Sequence, residues 1–163
     1  MSLMLDDLAV DRRQLSPEQK ATPQKSSAEK IAVVGLGYVG LPLATQLAEA
    51  YETVVGFDIS DMRIAALRRG QDQTHEVDHD TLSQCGLALT TDIAELSAAT
   101  FYIVTVPTPI TKAHQPDLSP LRAACESIAP FLNTGDVVVF ESTVYPGVTE
   151  DTCGPILEAG SCL

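Results

Sequence analysis

From residue 30 onward, short apolar runs alternate with segments in which apolar residues recur every three or four positions. Short runs rich in β-branched residues are typical of strands buried on both faces. We predict strands over residues 30–34, 53–57, 87–90, 101–106 and 137–141. We predict helices over residues 41–51, 61–69, 92–98 and 119–132, and a last helix over residues 149–159. This alternation predicts a doubly wound α/β fold, in which helices cover both faces of a parallel sheet.

Residues 1–29 do not share this pattern. Residues 14–29 are rich in Pro, Gln, Ser and Lys and offer almost no apolar side chains to a core. We therefore expect residues 1–29 to be a disordered leader or a segment added for expression, and residues 30–163 to form one domain. The final residues AGSCL provide neither a helix cap nor a further strand, so we expect this domain to be truncated at its C-terminal end.

The charge of the chain narrows the range of partners. Lys and Arg number 10 against 22 Asp and Glu, and the net charge of −12 argues against binding to nucleic acid. No apolar run approaches the roughly 20 residues of a membrane helix, and the N-terminus does not resemble a signal peptide, so we expect a cytoplasmic protein. The four cysteines form no C-x-x-C pair and no cluster with His, so we expect free thiols and no metal site.

A glycine-rich loop, GLGYVG, joins the first predicted strand to the first predicted helix at residues 35–40. In such a loop the first glycine permits a tight turn, the second lets a pyrophosphate approach the backbone, and the third lets the helix pack on the strand. These roles fall on Gly35, Gly37 and Gly40. An ordinary glycine turn is the alternative, but the flanking strand and helix favour a dinucleotide-binding fold of the Rossmann type.

Asp58 ends the second predicted strand, 23 residues after Gly35. An acid about 20 residues beyond the loop accepts hydrogen bonds from the adenosine ribose, and it repels a 2′-phosphate. This position therefore predicts NAD rather than NADP as the cofactor. Arg63 leaves two interpretations open, because it either covers the adenosine or lies on the surface of the second helix.

Two later loops follow the fourth and fifth predicted strands, at the edge where open α/β sheets bind their ligands. VPTP at residues 106–109 and ESTVYPG at residues 141–147 offer small hydroxyl groups held between prolines. Composition alone equally allows two turns that are merely stiffened by proline.

The runs GLGYVGLPLA, VTVPTP and ESTVYPG together resemble the amino-terminal domain of the UDP-glucose/GDP-mannose dehydrogenase family. The resemblance extends from about residue 30 to residue 159 and is closest to the UDP-N-acetyl-hexosamine dehydrogenase branch, which serves polysaccharide biosynthesis. DQTHEV at residues 72–77 also resembles this branch, which has an apolar residue where His75 stands, so we expect His75 to be a surface residue. The resemblance implies an NAD-dependent, two-step oxidation of the C6 alcohol of a UDP-sugar to a uronate.

The same resemblance implies roles for individual residues. It places the pyrophosphate on Gly35, Gly37, Tyr38, Val39 and Gly40. It places the adenosine on Asp58 and Arg63, and the nicotinamide beside Thr108 and Thr143. Thr143 is also the candidate catalytic residue, because the matching threonine of the family helps to position a water molecule.

The family's cysteine nucleophile has no counterpart in this sequence. That cysteine lies in a G-F-G-G-x-C segment, which Cys162 does not match, so we expect a domain that is inactive alone. UDP-sugar binding and a homodimer are then expected only of the full-length enzyme. The alternatives are a stand-alone, non-catalytic dinucleotide-binding module and a β-hydroxyacid dehydrogenase, which the PTP and ESTVYPG segments do not suit.

Overall fold

The computed structural model describes residues 25–112, 114–161 and 163. Its strands are β1 (Ser26–Val34), β2 (Tyr51–Phe57), β3 (Ala88–Thr90), β4 (Phe101–Val104) and β5 (Val137–Phe140). Its α-helices are α1 (Gly40–Ala50), α2 (Asp61–Arg68), α3 (His79–Gln84), α4 (Ser119–Ile128) and α5 (Gly154–Ser161). Two 3₁₀ segments (Ile93–Ala98 and Ala129–Phe131) and one π-helical turn (Thr149–Cys153) complete these elements.

All five strands lie parallel in one sheet, in the order β3-β2-β1-β4-β5. β1 is central, since Val34 pairs with Phe57 of β2 on one side and with Val104 of β4 on the other. The chain moves outward from β1 to β3 and then returns to β4, so the connections after β1 and β4 run in opposite directions. A crevice opens where two such connections diverge, and ligands of open α/β sheets bind there. The predicted doubly wound Rossmann fold is confirmed.

Apolar residues pack on both faces of this sheet. Ile31 and Val33 of β1 belong to the core shared with α1 and α2, whereas Ala32 and Val34 belong to the core shared with α4. Both sets are buried, which explains why the apolar run of β1 is continuous rather than alternating. Among the described residues, no helix combines the length and the apolar character that crossing a membrane requires.

β1 begins at Ser26, earlier than the predicted start at residue 30. Ser26 pairs with Tyr51, and an irregularity in register separates this pair from the regular ladder that starts at Lys30. Residues 26–29 are exposed and mostly polar, so their strand conformation leaves no hydrophobic signal in the sequence. Residues 26–29 of the expected leader thus form the start of β1, and residues 1–24 lie outside the described part of the chain.

Other elements differ from prediction at their ends. β4 stops at Val104 because the chain then leaves the sheet toward Pro107. α4 stops at Ile128 and continues as a 3₁₀ turn, because Pro130 cannot donate a helical hydrogen bond. α3 was not predicted at all, since it is short and none of its residues is buried.

Candidate functional site

The glycine-rich loop at residues 35–40 lies at the crevice beside β1, and Gly35 makes its sharp turn. Gly35 has φ +96°, a left-handed conformation that side chains other than glycine rarely adopt. Its N–H donates to the carbonyl of Phe57 at 2.8 Å, and a Cβ here would lie 3.2 Å from the amide nitrogen of Val106. The loop is thus held between the ends of β2 and β4.

Gly37 and Gly40 have opposite surroundings. A Cβ on Gly37 would have no atom within 4 Å, and this residue is exposed. A Cβ on Gly40 would overlap both the carbonyl oxygen of Gly35 and the hydroxyl of Thr105. Gly40 therefore allows α1 to pack against the turn, while Gly37 leaves its backbone open to a ligand, as the sequence predicts for this loop.

Thr105, which the sequence analysis did not single out, ties the glycine-rich loop to β4. This buried residue lies directly after β4, and its hydroxyl lies 2.6 Å from the carbonyl oxygen of Gly35, to which it donates. Its N–H donates to the carbonyl of Val34 at 2.9 Å, at the last residue pair between β1 and β4. Because threonine at a strand end is common, the sequence around Thr105 did not indicate this contact with Gly35.

The N-terminal end of α1 faces the same crevice. Val39 occupies the N-cap position, and its side chain supplies no hydrogen bond to the helix. The first N–H groups of a helix carry partial positive charge and are well suited to an anion when no side chain caps them. Tyr38 and Val39 are 70% and 52% exposed, so these large apolar side chains surround the helix end rather than joining the core.

Asp58 fastens the end of β2 to the glycine-rich loop. One carboxylate oxygen accepts from the N–H of Leu36 at 3.0 Å, and the other accepts from the N–H of Ser60 at 2.9 Å. The side chain remains partly exposed. Because a carboxylate oxygen can accept more than one hydrogen bond, Asp58 retains capacity for hydroxyl groups of a ligand.

Arg63 is buried, so its interpretation as a surface residue of the second helix is wrong. Its Nε donates to the carbonyl of Leu36 at 2.9 Å, and its Nη2 donates to the hydroxyl of Thr74 at 3.4 Å. Its Nη1 lies 2.7 Å from Oδ1 of Asp72, in a charge contact whose N–H groups are not aligned for a hydrogen bond. Asp58 and Arg63 therefore bind the N–H and the carbonyl of Leu36, respectively, within the glycine-rich loop.

Asp72 organises the loop between α2 and α3, and its side chain is 1% exposed. Its carboxylate accepts from the N–H groups of Thr74, Glu76 and Val77 at 2.9, 2.8 and 3.1 Å, and from the hydroxyl of Thr74. Burial raises the pKa of this carboxyl, but the hydrogen bonds from Thr74, the contact with Arg63 and the bond from Val77 hold the pKa well below its usual range. His75 is exposed on the same loop, which confirms the predicted surface position.

The loops after β4 and β5 are joined through small hydroxyl groups. The hydroxyl of Thr108 donates to the carbonyl of Thr143 at 2.8 Å, and the two threonine hydroxyls lie 3.4 Å apart. Ser142 donates to the carbonyl of Val106 at 2.6 Å. The structure thus brings Thr108 and Thr143 together, and hydrogen bonds supplement the stiffness that proline gives to each turn.

Unlike these threonines, the described cysteines are buried. Cys85, Cys125 and Cys153 are free and buried. Burial, together with the neighbouring Cys153, raises the pKa of the Cys125 thiol to about 12, and burial also raises the pKa of Cys153. Within the described residues, no group of three potential metal ligands is found. Cys162 lies outside those residues.

Two exposed apolar residues that follow Asp58 were also not among the site residues predicted from the sequence. Ile59 is 88% exposed and Met62 is 78% exposed, although residues of this kind are usually buried. Their sequence context gave one available signal, because Ile59 directly follows the predicted ribose-binding acid and Met62 comes four residues after it.

The fold and this site define a Rossmann-type dinucleotide-binding domain: a glycine turn at the central crevice, an uncapped helix end and an acid at the end of the second strand. The chain belongs to the UDP-glucose/GDP-mannose dehydrogenase family, and residues 29–162 match its NAD binding domain. This match favours the predicted dehydrogenase domain over the two alternatives.

Relatives and solved structures agree with this assignment. The chain is 54% identical over 135 residues to a UDP-N-acetyl-D-glucosamine 6-dehydrogenase of Pseudomonas aeruginosa, covering 82% of this chain and 32% of the relative. It is 35% identical to a UDP-N-acetyl-D-mannosamine dehydrogenase of Yersinia pestis, covering 82% and 32% respectively. The structure of a UDP-D-ManNAc dehydrogenase from Pyrococcus horikoshii is similar with a TM-score of 0.74 at 36% identity, covering 82% of this chain and 33% of that one. The predicted branch is confirmed, and the chain spans about a third of the length of these relatives.

Proposed function

We propose that the glycine-rich loop and the first turn of α1 hold the pyrophosphate of NAD. The open backbone at Gly37, between two glycines that are packed tightly, is the observation that carries this proposal. Tyr38 and Val39 are exposed at the same helix end, where they would cover the dinucleotide. The chain's overall charge of −12 makes such local binding of an anion necessary, because the surface as a whole repels it.

The adenosine then lies on the side of β2. Asp58 accepts hydrogen bonds from the ribose hydroxyls, and its charge disfavours the 2′-phosphate of NADP. Arg63 holds the loop that forms this half of the site through the carbonyl of Leu36. Ile59 and Met62 offer exposed apolar surface beside Asp58, which suits the flat adenine ring.

The nicotinamide end lies at the linked loops after β4 and β5. Bound NAD supplies an acceptor for hydride there. Thr108 fixes the backbone of Thr143 through its hydroxyl, so the Thr143 hydroxyl has a defined position from which it can orient a water molecule. We assign Thr143 this catalytic role and Thr108 the role of lining the site.

In the full-length protein, this domain serves the oxidation of a UDP-sugar at C6 to a uronate, as the names of its relatives suggest. A thiol that traps the aldehyde is needed for the second oxidation, and the described cysteines are buried. We therefore propose that this chain binds NAD but does not oxidise a sugar alone. A cytoplasmic location fits its free thiols, and a homodimer of the full-length protein stays a prediction.

Substitution of Gly37 tests the proposed function. Gly37→Val places a branched side chain where the pyrophosphate approaches, and its Cβ has no protein atom within 4 Å, so NADH affinity should fall by about tenfold or more while the melting temperature stays unchanged. Gly40→Ala is the matched control, because its Cβ overlaps backbone and should lower the stability by about 1–3 kcal/mol. Titration calorimetry and thermal unfolding measure both effects. Wild-type affinity in folded Gly37→Val would contradict the proposal.

A further inference from the structure

A buried ion pair is linked through Leu36 to the acid of the proposed adenosine site. Arg63 is 10% exposed and Asp72 only 1%, and their nearest charged atoms are 2.7 Å apart. Charges shielded from water in this way interact strongly and are little screened by salt. Arg63 also contacts Leu36, whose N–H is bound by Asp58. The pair therefore acts on the same short stretch of backbone as the acid that is proposed to read the ribose.

An arginine at this end of a dinucleotide site ordinarily favours NADP, because its positive charge can accommodate a 2′-phosphate. Here the guanidinium is not available for that purpose. Its nitrogens face Leu36, Asp72 and Thr74, and Nη1 is fully enclosed. The arginine is thus held away from solvent, and its charge is compensated from within the protein.

We propose that Asp72 is a positioning and specificity-determining residue, which favours NAD over NADP by holding and neutralising Arg63 beside the adenosine site. This inference rests on the proposed placement of the adenosine at Asp58. Asp72 is itself fixed by the N–H groups of Thr74, Glu76 and Val77, so it does not depend on Arg63 for its position. The loop between α2 and α3 thereby controls the cofactor preference without touching the cofactor.

The proposal predicts opposite effects for the two partners of the ion pair. Asp72→Asn leaves the Arg63 charge uncompensated, so the ratio of the NADPH to the NADH dissociation constant should fall by about tenfold. Arg63→Gln leaves the Asp72 charge uncompensated, so the same ratio should rise above the wild-type value. A merely structural role would weaken both cofactors equally and would leave the ratio unchanged.

The dissociation constants are measured on this chain by NADH fluorescence, with NADPH added in competition, after circular dichroism has established that each variant is folded. Asp78→Asn is the matched control, since Asp78 also accepts from a threonine N–H and hydroxyl but lies at the exposed start of α3. Its ratio should equal that of the wild type. If Asp72→Asn does not fold, Arg63→Gln decides the question, because Asp72 keeps its backbone donors in that variant.

Asp58→Ala separates this inference from the proposed function. The adenosine placement fails, and the inference with it, if Asp58→Ala binds NADH as tightly as the wild type. The inference alone fails if Asp58→Ala weakens NADH while Asp72→Asn and Arg63→Gln leave the ratio unmoved.

Discussion

Single residues at this site act through partners that are distant in the sequence. Arg63 shows this most clearly, since its contacts with the Leu36 carbonyl and the Asp72 carboxylate hold its side chain in a buried position. Arg63 lies among the buried residues of α2, but the helical period of α2 cannot identify an acid on the following loop as its partner. The sequence therefore left its role open, whereas Gly35, Gly37 and Gly40 were predictable because their demands are set by the local backbone.

Asp72 should make folding stability depend on pH in the acid range. Its folded-state pKa lies below the ordinary value of 3.8, so the ionised side chain favours the folded state. This contribution is fully present above the unfolded-state pKa and is lost as the pH falls toward the folded-state pKa. The difference in unfolding free energy between wild type and Asp72→Asn should be largest at neutral pH and should shrink below about pH 4. Urea denaturation across this range measures it, and a difference that is independent of pH would contradict the prediction.

Individual elements are placed by hydrogen bonds between loops as well as by the sheet. The strands were predicted well where both faces are buried, as in the core of β1, because an uninterrupted apolar run is a strong signal. Residues 26–29 and α3 escaped prediction because they bury little or nothing. The contacts among the loops after β1, β4 and β5 were not predicted for another reason. Each depends on a single hydroxyl group, and the pattern of apolar and polar residues does not indicate such a contact.

Thr105 should therefore matter more than an ordinary threonine at a strand end. Thr105→Val removes the hydroxyl that donates to Gly35 and leaves a partly buried carbonyl without this donor, which should cost about 1–3 kcal/mol of stability. NADH affinity should also fall, because the glycine turn loses its tie to β4. Thr53→Val, an exposed threonine of β2, is the control and should change neither quantity. Equal melting temperatures of the two variants would show that the hydroxyl is dispensable.

At the scale of the whole molecule, the described residues form a cofactor-binding domain, and the proposed oxidation needs groups beyond those residues. Oxidation of an alcohol to an acid requires a trap for the aldehyde, and a thiol must be ionised and accessible to serve as one. Cys125 meets neither condition, since it is fully buried and its pKa is raised to about 12. Thr143 is proposed to orient water, but a hydroxyl is too weak a base to remove the proton.

We accordingly expect no NADH from this chain with UDP-N-acetylglucosamine or UDP-N-acetylmannosamine, even when NAD is bound. Absorbance at the NADH band measures turnover, and a full-length UDP-N-acetyl-D-glucosamine 6-dehydrogenase serves as the positive control. Turnover that rises in proportion to the concentration of this chain would overturn the expectation. Loss of that turnover in Thr143→Ala would then assign it to the proposed site.

The strand order also affects how the chain folds while it is being synthesised. β2 follows β1 after a single helix, but the other edge of β1 must wait for β4, because Val34 pairs with Val104. At about 5–20 residues per second, several seconds pass between synthesis of these two strands. During that time the apolar central strand has an open edge, and such an edge readily pairs with other chains. The interval before β4 emerges is thus a stage of synthesis at which this protein is exposed to aggregation.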